Sequence, residues 1–359
     1  MNTFATAKPY YIAGPCSAES LLQLPDFIDQ TKNMPLKMIR AGVWKPRSKP
    51  GNFEGHGEQA LKWILELKKR VSIPFCIEVA NKDQVELALK YNIDAVWLGA
   101  RTTVNPFVVQ EICDALRGTK IPVLVKNPIN PDIELWCGAI ERIQQCGTES
   151  IAAVHRGFSS YDKSSKYRNN PIWAIPIELK RRYPSLPILC DPSHITGNKS
   201  LIASVAQRAL DLDFDGLMIE SHPNPELAMS DAAQQITPSE LEKLLKELKI
   251  RSCNTDAITE LENVRQVLDS LDAEIVALLG KRMSLVKELA TIKSKNNMPI
   301  FQQERWREII ISRTEWGQHI SLTNEFILKL FEIIHDESIK TQFRSLGQYF
   351  VHECKLRDS

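Results

Sequence analysis

The sequence predicts a (β/α)8 barrel followed by a separate all-helical domain, and three observations carry that prediction. Up to about residue 250, short β-branched runs alternate with longer amphipathic segments, whereas from Pro238 onward the pattern is helical only. Strand–helix alternation implies a parallel sheet, and eight units in about 250 residues match a closed barrel. Polar residues follow each of the eight runs, on the side where barrel sites are built.

The runs, in order, are Tyr10–Ala13, Lys37–Gly42, Phe75–Val79, Ala95–Gly99, Pro122–Lys126, Ile151–His155, Pro187–Cys190 and Gly216–Ile219. Between them lie helical patterns such as GEQALKWILELKKR (Gly57–Arg70) and DQVELALKY (Asp83–Tyr91). A doubly wound open sheet would more naturally carry a Gly-rich phosphate turn after its first strand, but GPCSAES stands there instead. Nothing before Tyr10 reads as an extra regulatory domain. PSELEKLLKELKI closes the barrel, giving a barrel domain over 1–250, a polar linker RSCNTDA over 251–257 and a helical domain over 258–359. In the last, Ile258, Leu261, Val264, Leu268, Leu271, Ile275, Leu278, Val286, Leu289 and Ile292 keep three- and four-residue spacing over one very long helix. Asn296, Asn297 and Pro299 break it. Two more helices are expected, over approximately 302–316 and 323–346, with the break around Gly317.

Composition narrows the class of protein. The chain has 359 residues, 43% hydrophobic and 25% charged, enough to fill a sizeable core. A net charge of +1 gives no reason to expect nucleic acid or an anionic membrane surface as partner. The N-terminus lacks a cationic start with a long apolar run, and no stretch reaches the roughly 18 apolar residues that span a bilayer. Eight cysteines without a CxxC pair read as reduced thiols, which places the chain in the cytoplasm. All but Cys16 are read as small buried hydrophobes.

The polar groups at the strand ends are Cys16, then Arg40, Lys45 and Arg47, Glu78, Arg101, Lys126, His155 and Arg156, Asp191 and His194, and Glu220 and His222. Five cations at one mouth, Arg40, Lys45, Arg101, Lys126 and Arg156, imply a ligand with several negative charges, or two such ligands. Cys16, His194, Glu220 and Asp231 share that mouth. A thiolate, an imidazole and two carboxylates suit Mn²⁺, Fe²⁺ or Zn²⁺ better than Mg²⁺.

GPCSAES (14–20), RAGVWKPRSKP (40–50), GAR (99–101), HRG (155–157), DPSH (191–194) and ESHPNPELAMSD (220–231) resemble the signature blocks of 3-deoxy-D-arabino-heptulosonate 7-phosphate (DAHP) synthases, in the subfamily related to 3-deoxy-octulosonate 8-phosphate synthase. The resemblance implies that Cys16, His194, Glu220 and Asp231 hold a divalent metal, Mn²⁺ first, with Fe²⁺, Zn²⁺ or Co²⁺ as alternatives. It implies that Lys45, Arg101, Lys126 and Arg156, with Arg40 nearby, hold phosphoenolpyruvate, and that Arg47 and Ser48 take the phosphate of erythrose 4-phosphate. Lys126 and Glu78 are the candidates for proton handling, with His194 in the catalytic set. The octulosonate synthase is the alternative for this half; its sugar-binding block carries Asn where this chain has Pro46, which favours the four-carbon aldehyde.

In the helical half, Arg282 and Lys293 lie 11 residues apart, three turns plus about 20°, on one row with Val286 and Leu289. Two cations on an apolar row call for a buried anion. Arg265, about 100° off that row, would more easily serve the equivalent site of a second chain. LENVRQVLDSLDAEIVALLGKRMSLVKELATIK (261–293), PIFQQER and ESIKTQ resemble the all-α bacterial chorismate mutases. That resemblance implies binding of the two carboxylates and ether oxygen of chorismate, and of the carboxylates of prephenate, by Arg265, Arg282, Lys293, Arg305, Ser338 and Gln342, with Lys293 and Gln342 stabilising the charge that develops. Trp306 stands where that family usually has Glu, and Gln302 where Asp is common, both at contacts to the substrate hydroxyl. The helical half is thus either a working isomerase or a module that senses a pathway intermediate for the barrel. Because two shorter helices cannot cover the long apolar stripe, a homodimer or higher oligomer through this domain is expected.

Overall fold

The computed structural model describes residues 2–6, 8–46, 51–160, 165–251 and 258–357, with side chains in the last stretch from 261 to 347. Arg47, Ser48 and most of the expected linker lie outside the described residues. The chain divides into two compact units, Met1–Ser252 and Cys253–Ser359.

The first unit is a closed barrel of eight parallel strands in sequence order. They are β1 (Tyr10–Gly14), β2 (Leu36–Arg40), β3 (Phe75–Val79), β4 (Ala95–Leu98), β5 (Val123–Lys126), β6 (Ile151–His155), β7 (Ile188–Cys190) and β8 (Gly216–Glu220). Each is followed by an outer helix: α1 (Gln23–Thr31), α2 (Glu58–Lys68), α3 (Lys82–Lys90), α4 (Pro106–Leu116), α5 (Ile133–Gln145), α6 (Ala174–Arg182), α7 (Ile202–Asp211) and α8 (Pro238–Glu247). Short turns Ala100–Thr103 and Pro192–Thr196 sit at the β4 and β7 ends. The helix starts follow their local chemistry. Asn81, Asn105 and Asp132 cap α3, α4 and α5 with their side chains, and Thr237 with Glu240 forms a capping box on α8.

Side chains alternate across each strand. Tyr11, Ile39, Ile77, Val96, Val125, Ala153, Ile188 and Ile219 face the helices in one large apolar layer. Tyr10, Ile12, Met38, Cys76, Trp97, Leu124, Val154, Leu189 and Met218 fill the interior. Phe4, on the short 3-10 turn Thr3–Ala5, joins this inner cluster, its ring 5.6 Å from that of Tyr10.

The second unit holds three helices, α9 (Ile258–Lys295), α10 (Gln303–His319) and α11 (Asn324–Arg357), with α11 packed on both others. At 38 residues, α9 is about 57 Å long. The break between α10 and α11 falls after His319 and not at Gly317. Gly317 is buried inside α10, where a Cβ would come within 2.5 Å of Ile327 on α11, so it sets close helix packing and not a turn. The buried face of α9 runs through Val286, Ala290 and Lys293, and Leu289, expected on the same row, is 43% exposed. No helix among the described residues is long and apolar enough to cross a membrane.

Candidate active sites in the barrel and the helical unit

Continuing the inward register of each strand by one step past the apolar interior gives the barrel site. Met38 leads to Arg40, Cys76 to Glu78, Leu124 to Lys126, Val154 to Arg156, Leu189 to Asp191 and Met218 to Glu220. On the remaining two strands the step lands on glycine, Gly14 and Gly99. Both are needed for space. A Cβ on Gly14 would lie 2.2 Å from the Arg40 carbonyl oxygen, and one on Gly99 would lie 2.1 Å from Glu78 Oε1. The floor of this charged layer is Trp97, whose ring lies 5.1 Å below the Arg40 guanidinium carbon and 5.6 Å below Lys126 Nζ.

These charges are buried and bound to one another. Arg40 Nη2 donates to Glu220 Oε1 at 2.8 Å, and Lys126 Nζ donates to Asp191 Oδ2 at 2.7 Å. His194 Nδ1 lies 2.8 Å from the same Asp191 oxygen, which leaves Nε2 directed toward Glu220 Oε1 at 3.8 Å. Burial would raise the Asp191 carboxyl, but His194 and Lys126 hold it well below the usual carboxylate range. Glu220 is likewise held low against burial by His194 and Arg40. Burial pulls Arg156 down to about 10, so it stays cationic at neutral pH. Its guanidinium donates to Asn169 Oδ1 at 2.8 Å, and its backbone N–H donates to Asn127 Oδ1 at 2.7 Å.

Cys16, Glu220 and Asp231 each offer a ligand atom within 4.8 Å of the others. His194 stands just outside that trio, with its free ring nitrogen on the Glu220 side. The donor set fits a divalent transition metal: a thiol and two carboxylates converge with an imidazole beside them, whose other nitrogen lies 2.8 Å from Asp191. Burial pushes the Cys16 thiol up to about 12, so metal binding must displace its proton. Asp231 has φ 47°, a left-handed backbone held in place by Arg168, whose Nη1 lies 3.2 Å from Asp231 Oδ1 and donates to Gln234 Oε1 at 2.7 Å. The adjoining pocket is lined by Lys45, Pro46, Glu78, Gly99, Arg101, Lys126, Arg156, His194 and Asp231. The described residues expected to hold metal and substrate in the barrel therefore meet in one place, whereas His155 and His222 do not join them.

Two groups read from the sequence as mouth residues do not belong there. His155 is the outward residue of β6, buried between helices and strands with Phe158, Trp173 and Phe214 ring centroids 5.2–6.2 Å away. His222 accepts from Asn224 N–H at Nδ1 and turns Nε2 toward Glu19. In the sequence Asp191 stands among the strand-end groups without an assigned role, and none of Arg168, Gln234 and Asn169 is singled out. Asp191 had a visible signal, as the inward position after β7; the others come from loops whose return to the mouth has no local signature.

In the helical unit, Arg282 on α9 donates to Ser338 Oγ on α11 at 2.5 Å. Lys293, Ser338 and Gln342 are all buried, and Lys293 Nζ donates to the Ile300 carbonyl. Four of the six expected residues thus gather between α9 and α11. Arg265 and Arg305 do not join them within the chain. Both are exposed and pair with Glu262 and Glu308 one turn away. Trp306 lies flat against His335, ring centroids 4.1 Å apart at 25°.

A model of the DAHP synthetase I family matches residues 6–254, and one of chorismate mutase type II matches residues 264–343. The phospho-2-dehydro-3-deoxyheptonate aldolase of Thermotoga maritima is 30% identical over 238 residues, which is 66% of this chain and 68% of that protein. The bifunctional chorismate mutase/prephenate dehydratase of Buchnera aphidicola is 36% identical over 90 residues, 25% of this chain and 23% of its own length. A 2-dehydro-3-deoxyphosphooctonate aldolase of Aliivibrio fischeri is 24% identical over 218 residues, 56% of this chain and 72% of that one. The crystal structure of the Thermotoga maritima DAHP synthase superposes with a TM-score of 0.60 at 28% identity, covering 66% of this chain and 67% of its own. The chain belongs to the DAHP synthetase I family, and its helical unit joins to that barrel a chorismate mutase domain.

Proposed function

We propose that the barrel condenses phosphoenolpyruvate with D-erythrose 4-phosphate to DAHP and phosphate, and that the helical unit rearranges chorismate to prephenate. The observation that carries the first reading is the charged layer above Trp97, where Arg40 and Lys126 stack on the ring beside a pocket lined by Lys45, Arg101, Lys126 and Arg156. In that reaction carbon 3 of the enol attacks the aldehyde carbon, water adds at carbon 2, and phosphate leaves. Lys45, Arg101, Lys126 and Arg156 hold the carboxylate and phosphate of the enol and the oxyanion charge that develops. Lys126, anchored on Asp191, and Glu78, given room by Gly99, are the groups that hold or move a proton at the incoming water. Cys16, His194, Glu220 and Asp231 would hold a divalent ion, Mn²⁺ in our reading, that supplies Lewis acidity toward the aldehyde oxygen. Pro46 at the pocket wall favours the four-carbon aldehyde over the five-carbon aldehyde of an octulosonate synthase.

In the helical unit Arg282 and Lys293 match the two charges of a folded dicarboxylate, and Lys293 with Gln342 stabilises the ether oxygen. Arg265 reaches this site from a second chain, in a dimer or higher oligomer formed by the helical unit. Prephenate or chorismate bound there restricts the barrel, a feedback reading that rests on the fusion itself and on a cytoplasmic setting for both reactions. Purified protein should consume phosphoenolpyruvate only when erythrose 4-phosphate is present, and should deplete chorismate. Absence of the first activity would overturn the barrel reading; absence of the second with retained prephenate binding would leave a sensor in place of an isomerase.

A further inference from the structure

Around the proposed dicarboxylate site, two buried polar atoms have no hydrogen-bond partner among the described residues: Gln342 Oε1 and His335 Nε2. The first belongs to the expected set. The second does not, and its setting is specific. The imidazole of His335 is sandwiched by Trp306 on its face and by the edge of Phe301, whose centroid lies 5.9 Å away at 66°. This packing fixes the ring plane and leaves one nitrogen buried and unbonded. One turn along α11 from His335 is Ser338, the partner of Arg282.

The charge state is as informative as the position. Burial lowers the basicity of His335, and Arg282 and Lys293 on α9 lower it further, opposed only by Asp336 on its own helix. At neutral pH the ring is therefore an uncharged polar group beside two cations. Two cations already match two carboxylates. What remains for an uncharged Nε2, able to donate or accept depending on tautomer, is an uncharged polar group of the ligand. A buried partner left unmade costs discrimination, because a site built to bond a hydroxyl rejects the analogue lacking it.

We propose that His335 is a specificity-determining residue of the helical site, its Nε2 hydrogen-bonding the ring hydroxyl of a cyclic dicarboxylate, with Trp306 as the positioning residue that holds the imidazole flat. This rests on the reading of the helical unit as a chorismate and prephenate site, and it assigns the hydroxyl contact that Trp306 cannot make as a carboxylate would. The difference from that reading is separable: the dicarboxylate site can exist without this contact.

The test is calorimetric titration of the full-length protein with prephenate and with its analogue carrying hydrogen in place of the ring hydroxyl. The native protein should prefer prephenate by about tenfold or more, the range for one buried hydrogen bond. His335→Phe, which keeps the stack and removes the nitrogens, should bind both compounds with the weaker, equal affinity. His335→Gln, which returns a polar tip, should restore at least part of the preference. Equal loss of both affinities in His335→Phe, or an undiminished preference for prephenate, overturns the proposal. If His335→Phe does not fold, the comparison of native protein with His335→Gln and Trp306→Ala carries the test: loss of the stack should shrink the preference more than it weakens the hydroxyl-free analogue, and an unchanged preference overturns it. Failure of the native protein to bind either dicarboxylate would instead sink the reading beneath it.

Discussion

The barrel mouth and the helical site both collect cations for anionic ligands, yet they treat those cations in opposite ways. In the barrel, Arg40 and Lys126 are almost wholly buried and already paired, with Glu220 and with Asp191. In the helical unit, Arg265 and Arg305 are exposed and pair, among the described residues, with neighbours on their own helices, while Leu261, Val264, Leu268, Leu271, Ile275 and Leu278 along α9 are 47–62% exposed. A closed barrel surrounds its mouth with eight strands, so the cost of burying charge is met by partners supplied from other strands of the same chain. Three helices have no such enclosure. Among the described residues, the expected barrel groups meet within one chain, whereas in the helical unit Arg282 and Lys293 come together without Arg265 and Arg305. Preorganisation in the first case is a property of the fold; in the second, another copy supplying Arg265 is the proposal tested below.

The sharpest way to break this contrast is at the proposed metal site. Cys16→Ala should lower condensation at least about a thousandfold while leaving chorismate turnover within about twofold, since the two sites share no residue. Condensation assays before and after chelation check it, and full activity in metal-free protein would remove the metal reading. Next comes the proposal that the helical site is shared between two chains. Arg265→Ala should lower chorismate turnover about a hundredfold, as should Arg282→Ala. Mixing the two variants should recover about a quarter of the native rate, because half of randomly paired dimers carry one intact site. No recovery on mixing would mean that Arg265 acts within its own chain or not at all.

A smaller effect tests whether the two units communicate. Prephenate affinity measured calorimetrically with and without phosphoenolpyruvate and Mn²⁺ should differ by about 5- to 150-fold, the usual range for coupled sites, and the reverse experiment should give the same factor. Equal affinities would leave the units thermodynamically independent.

The smallest effect concerns the barrel wall. Burial, followed by the charge of Arg156, holds His155 down to about 3, so it is neutral in the fold and protonates near 6.5 when unfolded. Above pH 6.5 neither state binds the proton and the group has no effect. As pH falls below 6.5 the unfolded chain gains it first, and barrel stability falls until about pH 3. At pH 5 the loss is about 2 kcal/mol. His155→Phe should flatten that part of the acid-stability curve followed by denaturant titration; an unchanged slope would assign the acid loss elsewhere.

Much of the fold and of both sites was legible in the chain because each signal was local. Eight β-branched runs and their helices define a barrel whatever the loops do, and Arg40, Glu78, Lys126, Asp191 and Glu220 sit in register with apolar residues two positions earlier, so strand alternation alone aims them inward. The same rule, applied strictly, would have turned His155 outward, since it follows Val154 by one. Other features have no local signal. That Asp191 joins Lys126 to His194, that Arg168 returns from a loop to clamp Asp231, and that Trp306 lies on His335 all depend on segments tens of residues apart meeting at fixed distances. Sequence period determines which face a side chain takes. Only barrel closure and helix packing decide which faces meet, because those contacts are made across elements whose spacing along the chain carries no record of them.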